Sequence, residues 1–370
     1  MVVTKDLIIH NKAGSKMVVT EDLKGRDFLT MTDFTREEIE TMLSVGIDLK
    51  KRFVMHEDHR NILPAQTLFM VFYNDSLRTR NSFEAGMTQL GGHAHFLEPG
   101  AIYTPALPGD EIAYQTERVS DVARVLSRMG DAIAIRIYGD KAGWMYGKGQ
   151  KIQENFAYWS KKPIINMESD IYHPCQGMAD VMTMYEKSGH SFNNLKGKKF
   201  VMSWAYSAGQ KPMAVPQTGV LAPSMFGMDV TLACPPEFDL HPDIIKKVEE
   251  YSDVHGGSFS IERDMSTAFE GADFVYPKSW GILEAHGMEG VREANPGIMP
   301  DIMNKYKDWR TTVEKMDLTK NGRGYYMHCL PQDRGMEVDD EVADGPRSII
   351  FDQAENRLHA QKGVMASIMH

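Results

Sequence analysis

Apolar and polar positions alternate along this chain in blocks that change period. "TREEIETMLSVGIDLKKRF" (35–53) places Ile39, Met42, Leu43 and Ile47 on one helical face, which predicts an amphipathic helix. "TLFMVFYN" (67–74) is a continuous apolar run of buried-strand length. A helix is expected from there to about Leu90, where Gly91 and Gly92 can stop it. Further strands are predicted at 94–99, 131–139 and 163–168, with a helix over 119–130 and a loop over the proline- and glycine-rich 99–110. A helix over 176–189 is long enough to bridge two domains. A second series then begins: strands at 198–204, 228–235, 272–280 and 324–331, helices at 215–227 and 241–252, and a C-terminal amphipathic helix over 353–369.

Strand and helix repeating in this order imply a parallel sheet covered by helices. Two successive doubly wound α/β domains are therefore expected, with the boundary near 173–190. The ranges are 24–175, with the 353–370 helix packing back on it, and 176–352. A ligand is expected between them, at the carboxyl ends of the strands. Residues 1–23 are set aside as an N-terminal extension, because "MVVTKDL" (1–7) is echoed by "MVVTEDL" (17–23).

Composition narrows the function classes. The net charge of −10 argues against general nucleic-acid or anionic-membrane binding, so any anion site must be a local cluster. The three cysteines, Cys175, Cys234 and Cys329, have no CxxC spacing and suit a reducing cytoplasm better than a disulfide framework. No run of ~18 apolar residues predicts a membrane span. The 26 methionines more often fill cores than build a binding surface.

Against that acidic background "NDSLRTRNSFE" (74–84) stands out, between a strand and a helix. A helix N-terminus offers unpaired backbone N–H groups and the positive end of the helix dipole. Ser76 and Thr79 add hydroxyls, and Arg78 adds a fork that fits phosphate oxygens. The stretch also fits an ordinary capped helix with surface arginines, and Arg80 reads as structural, paired with Glu84. Other residues have bland readings too: Arg136 as a strand's exit to solvent, the "HPCQ" of His173 and Gln176 as a capped helix start, Lys278 as a solvated strand end, and Glu168 as a helix-dipole partner.

Taken in order, "SLRTR…FE", "ARVLSRMGDAIAIR", "HPCQGMADVMT" and "HCLP" resemble the aspartate/ornithine carbamoyltransferase family. The likeness runs from Gly25 nearly to the end. It implies a carbamoyl-phosphate domain and an acceptor domain joined by interdomain helices, acting in the cytoplasm on carbamoyl phosphate and a small amine without metal or organic cofactor. By that resemblance Ser76, Leu77 (through its backbone), Arg78 and Thr79 bind the phosphate. Arg136, His173 and Gln176 hold the carbamoyl group, and Thr79 joins Arg136 and His173 as an oxyanion hole. Backbone carbonyls at Cys329 and Leu330 accept from the carbamoyl NH₂, which leaves the Cys329 thiol no covalent role. Arg357 helps hold carbamoyl phosphate.

For the acceptor, "YPKSWGI" (276–282) replaces the Ser-Met-Gly loop of ornithine carbamoyltransferases. "KSWG" resembles the N-acylornithine branch, whose lysine and glutamate imply Lys278 and Glu168 as acceptor contacts. One extra residue separates Glu168 from "HPCQ", a tryptophan expected after residue 99 is absent, and a lysine expected downstream of "HCLP" is replaced near Glu337. "AYSAGQKPMAVPQ" (205–217) is more similar to the purine- and ureido-catabolism branch, whose acceptors are of the 2,3-diaminopropionate type or whose reaction runs toward carbamoyl phosphate. Both branches imply a trefoil knot formed by 206–216. The family implies a homotrimer with shared active sites, with the 99–115 loop reaching a neighbour. A nicotinamide dehydrogenase would want GxGxxG after "KKFVMSW", where "AYSAGQKP" stands instead. A non-catalytic metabolite-binding relative is the other alternative, against which the intact motif residues speak.

Overall fold

A computed structural model describes residues 20–370. The first of the echoed MVVT segments lies outside them, and of the second only a short 3-10 helix, Thr20–Leu23, is described. In chain order the principal elements are α1 (Arg36–Val54), β1 (Thr67–Phe72), α2 (Leu77–Leu90), β2 (His93–Leu97), β3 (Thr104–Ala106), β4 (Thr116–Arg118), α3 (Val119–Met129), β5 (Ala132–Arg136), α4 (Lys148–Trp159), β6 (Ile164–Glu168) and α5 (Pro174–Lys187). They continue with β7 (Lys199–Trp204), α6 (Ala214–Met225), β8 (Asp229–Ala233), α7 (Pro242–His255), β9 (Ser258–Glu262), β10 (Phe274–Lys278), β11 (Tyr325–Tyr326) and the C-terminal helix Ile350–Ile368.

Contacts divide the chain into two compact units whose segments interleave. One is the chain up to Ile135 with Ile152–Asn166 and Arg357–His370; the other is Arg136–Lys151 with Met167–Asn356.

The first unit is built on a four-stranded sheet of order β2-β1-β5-β6, so chain order reverses between β1 and β5. β1 pairs with β2 in parallel, and Phe28 extends the β6 edge through an isolated parallel bridge to Ile165. Its core includes Phe28, Leu68, Met70, Phe83, Ile133 and Phe156, all fully buried. α1 starts at a capping box in which the Thr35 hydroxyl accepts from the Glu38 N–H and the Glu38 carboxylate from the Thr35 N–H.

The second unit holds a five-stranded, all-parallel sheet of order β11-β10-β7-β8-β9, with its reversal between β7 and β10. Trp204, Tyr276, Trp280, Phe238 and Phe274 fill its core. The two indoles are tied into the backbone. Trp204 Nε1 donates to the Trp280 carbonyl at 3.0 Å, and Trp280 Nε1 to that of Phe238 at 2.9 Å. The 205–213 segment is irregular and is held by Tyr206 N–H to Trp309 O (2.8 Å) and Gly281 N–H to Lys211 O (2.9 Å).

Four differences from the sequence reading have physical causes. The 324–331 run pairs as a strand only over Tyr325–Tyr326, because the His328 N–H is taken by the Gln353 side chain and Leu330 turns to φ 57°. The 99–110 stretch carries a 3-10 turn at Pro99–Ala101 and a strand, β3, paired with β4. α4 and β9 escape a periodicity reading. α4 buries only a few positions, among them Ile152 and Phe156, and the serine-rich β9 is an edge strand. The C-terminal helix is not one-sided: every residue from His359 to Met369 is buried.

That burial requires close backbone approach within the first unit. A Cβ on Gly46 would stand 2.6 Å from the His359 carbonyl, and one on Gly363 would overlap the Met42 carbonyl. Gly363→Ala and Gly46→Ala should each destabilise the protein by about 1–3 kcal/mol, since neither contacting atom can swing away. Thermal or urea unfolding of the two variants checks this.

Candidate active site

Ser76 caps α2. Its hydroxyl accepts from the Thr79 N–H at 3.1 Å, and the residue itself is extended at φ −159°. The first turn of a helix lacks intrahelical partners for its N–H groups, and it is the end at which an anion is met. Leu77 is exposed, Arg78 is half-buried and Thr79 is buried. Arg357, buried on the C-terminal helix, donates from Nη2 to Thr79 Oγ1 at 2.9 Å. Thus Arg357 and the Ser76–Thr79 turn meet within the first unit, although 278 residues separate Arg357 from Thr79. Arg80 pairs with Glu84 at 2.9 Å and lies over the Phe96 ring, as its structural reading expects.

The second unit assembles a different set. Arg136, the last residue of β5, is 7% exposed, so its reading as an exit to solvent is wrong. Its Nη1 donates to Glu168 Oε2 and its Nη2 to the Tyr138 hydroxyl at 2.8 Å. His173 Nε2 lies 3.5 Å from the same Glu168 oxygen. A guanidinium and an imidazole nitrogen thus converge on one carboxylate oxygen in a buried place. His173 is the N-cap residue of α5 without a side-chain capping bond, and its N–H donates to Thr218 Oγ1 at 2.8 Å. Burial pushes the Tyr138 phenol up to about 12, Glu168 adding to the rise and Arg136 opposing it. Tyr138 therefore stays a neutral donor at any ordinary pH.

Gln176 donates from Nε2 to Asp180 Oδ1 at 2.7 Å. Gln353 Nε2 donates to the same oxygen at 2.6 Å, while Gln353 Oε1 accepts from the His328 N–H at 2.8 Å. His328 Nδ1 in turn accepts from the Leu330 N–H at 2.9 Å. An unbroken polar chain therefore links Gln176 to the turn that bears Cys329 and Leu330. Burial raises the Cys329 thiol above its usual range, with Lys278 pulling the other way, so the thiol is a poor nucleophile.

Lys278 ends β10, nearly buried. Its Nζ donates to the Ser279 carbonyl at 3.2 Å and stands 3.8 Å from Glu337 Oε1. The solvated-strand-end reading of Lys278 is therefore wrong. Glu168 ion-pairs with Arg136 and has the His173 imidazole beside it, and Lys278 pairs with Glu337. Sequence reasoning passed over Tyr138, Asp180, His328 and Gln353 as site neighbours. Tyr138, two residues after Arg136, Asp180, four after Gln176, and His328, beside Cys329, carried local signals; Gln353 is set by pairings across the second unit.

The carbamoyl-P binding domain of the aspartate/ornithine carbamoyltransferase family matches residues 26–186, and the Asp/Orn binding domain of that family matches 208–368. The N-acetylornithine carbamoyltransferase of Xanthomonas campestris pv. campestris is 35% identical over 352 residues, covering 93% of this chain and 98% of its own. The ornithine carbamoyltransferase of Thermococcus kodakarensis is 37% identical over 356 residues, covering 95% and 98%. A solved acetylornithine transcarbamylase complexed with acetylcitrulline superposes with a TM-score of 0.84 at 34% identity, over 93% of this chain and 99% of that one.

All three cysteines are buried, and burial raises the thiols of Cys234 and Cys329. A raised pKa leaves less thiolate at pH 8 than a free cysteine has. Iodoacetamide at pH 8 should leave the folded protein unmodified and alkylate all three after denaturation, as intact-mass spectrometry would read.

Proposed function

The chain belongs to the aspartate/ornithine carbamoyltransferase family and is a carbamoyltransferase; from that premise we propose that it moves the carbamoyl group of carbamoyl phosphate to the amino group of an N-acylornithine or 2,3-diaminopropionate-type acceptor rather than free ornithine. The observation that carries the site assignment is the convergence of Arg136 and His173 on Glu168 Oε2. Donors that fit a carboxylate oxygen also fit a carbonyl oxygen on its way to an oxyanion.

In this reading Ser76, the Leu77 backbone, Arg78, Thr79 and Arg357 take the phosphate oxygens. Arg136 and His173, joined by Thr79, take the carbamoyl oxygen. Gln176 and the backbone carbonyls of Cys329 and Leu330 hold the carbamoyl NH₂. The neutral acceptor amine attacks the carbamoyl carbon, a C–N bond forms, and negative charge grows on the oxygen. The C–O bond to phosphate then breaks, phosphate leaves with the electron pair, and the proton lost by the amine ends on phosphate. Each oxyanion donor is worth roughly 2.7–4 kcal/mol in such a site. Glu168 receives the incoming amine once the carbamoyl oxygen takes its place on Arg136 and His173, and Lys278 takes the acceptor carboxylate.

Support for an acceptor other than ornithine comes from "KSWG" at 278–281, whose tryptophan is buried and tied to the Phe238 carbonyl. Relatives in this family act on either kind of acceptor by name, so the acceptor is decided by assay. The proposed homotrimer is supported by exposed Tyr103, Ile112 and Tyr114 on the 99–115 loop, apolar surface of the kind a neighbouring subunit covers.

Purified protein with carbamoyl phosphate, tested against ornithine, putrescine, N-acetyl- and N-succinylornithine and 2,3-diaminopropionate, should release phosphate and a ureido product with an acylated or diaminopropionate-type amine. Turnover of ornithine alone would overturn the acceptor reading. Arg136→Met should cut kcat by about 10²–10³ with every acceptor, and Arg78→Ala should abolish activity with every acceptor. Lys278→Ala should raise the acceptor KM more than the carbamoyl phosphate KM; equal loss of both would contradict its role.

A further inference from the structure

Gln353 lies fully buried on the C-terminal helix, and the reaction above gives it no task. Both ends of its amide are committed. Nε2 donates to Asp180 Oδ1 at 2.6 Å, and Oε1 accepts from the His328 N–H at 2.8 Å. Each partner leads to a group that the proposed reaction uses. On one side, the same Asp180 oxygen accepts from Gln176 Nε2 at 2.7 Å, one helical turn back along α5. On the other, His328 Nδ1 accepts from the Leu330 N–H at 2.9 Å, in the turn that carries the carbonyls of Cys329 and Leu330. One side chain thus stands between the two sets of atoms assigned to the carbamoyl NH₂.

An amide side chain has nearly the same shape either way round, yet its two ends are opposite in hydrogen-bonding sense. To hold an NH₂, Gln176 must offer its carbonyl oxygen, so its own NH₂ has to be bound elsewhere. An ionised carboxylate only accepts, and Asp180 meets that need. Asp180 is itself buried, and the N–H it takes from Gln353 fixes it from a second side. The turn needs holding as well. Leu330 sits at φ 57°, a left-handed conformation that costs a residue with a side chain about 1–2 kcal/mol and persists where the surroundings impose it. Along β11 the Tyr326 N–H bonds the Arg347 carbonyl at 2.9 Å, and two residues on the His328 N–H bonds Gln353 in place of a backbone group. A side chain therefore ends the strand where the turn begins.

We propose that Gln353 is the positioning residue that makes the site select an NH₂ beside the donor's carbonyl. Through Asp180 it orients the Gln176 oxygen, and through His328 it sets the Cys329 and Leu330 carbonyls, onto the same carbamoyl nitrogen. The ligand selected is a carbamoyl phosphate over an acyl phosphate that carries a methyl in place of the NH₂. This rests on the roles given above to Gln176 and the two carbonyls. Buried acceptors that face a methyl are left unpaired, and that loss is how a site built for an N–H rejects the analogue without one. A purely structural link would serve phosphate, methyl and NH₂ ligands equally.

Direct binding to the full chain tests this without an acceptor. Calorimetry gives Kd values for carbamoyl phosphate, acetyl phosphate and inorganic phosphate on the wild type, Gln353→Met and Gln176→Met. The wild type should bind carbamoyl phosphate more tightly than acetyl phosphate. Q353M, of similar length but without the amide, should weaken carbamoyl phosphate about tenfold or more, while the other two ligands move by less than about threefold. Q176M should lose the same preference. Parallel weakening of all three ligands in Q353M, or a preference kept there while Q176M loses it, would overturn the proposal and leave the reading of Gln176 standing. A wild type with no preference, or a Q176M that keeps it, would sink that reading and the proposal with it. Should Q353M not fold, Gln353→Asn, which keeps the amide but is too short to span both partners, takes its place with the same expected loss.

Discussion

β5 and β6 are neighbours in one sheet, and that pairing sets Arg136 against Glu168. The Ile133 N–H donates to Pro163 O and the Ile137 N–H to Glu168 O, so the two strand ends finish level. A guanidinium and a carboxylate at adjacent strand ends, out of water, must satisfy one another or pay a desolvation cost of several kcal/mol per ion. The sheet register is therefore the constraint on which the proposed chemistry rests. It delivers a cation and its counter-ion to one place, and His173 enters from the following loop to share the same oxygen.

Burying charge this thoroughly is poor practice for stability alone, since apolar residues of similar volume would often serve as well. The second unit does it twice, with Glu168 between Arg136 and His173 and with Glu337 between Lys278 and His328. In both cases the anion is internal and the cation or imidazole is one that a substrate could use. The protein thereby keeps its donors dry, ordered and neutralised. In the proposed reaction an incoming anionic or polarised oxygen would exchange one partner for another without stripping a shell of water.

Much of this could be read from the sequence where the signal is local. The Ser76 cap, the Arg80–Glu84 pair and the Gly91 stop at φ 93° follow from neighbours within a few positions, and the structure has all three. Most strands and helices follow likewise from apolar runs of the right period. What periodicity could not give were contacts between distant positions. Arg136 looks like a solvent exit until Glu168, 32 residues on, is beside it. "YYMHCLP" looks like strand because it is apolar, yet its N–H groups are claimed by Gln353 and by His328 itself. Glu337 stands in an acidic, glycine-bearing stretch, and only the fold shows it at zero exposure.

The C-terminal helix belongs by its last residues, Arg357–His370, to the same unit as α1 and α2. Its Lys362 donates to Gln89 at 2.9 Å, and its Arg357 reaches Thr79 across a sequence separation of 278. During synthesis the ribosome delivers Thr79 roughly a quarter of a minute to a minute before Arg357, at the usual rate of translation. For that interval the nascent first unit has an open groove along α1, where Gly46 later meets the His359 carbonyl. A chain stopped short by even a dozen codons would leave the ribosome with that groove unfilled. It would then be a substrate for chaperones and proteases rather than a slightly shorter enzyme.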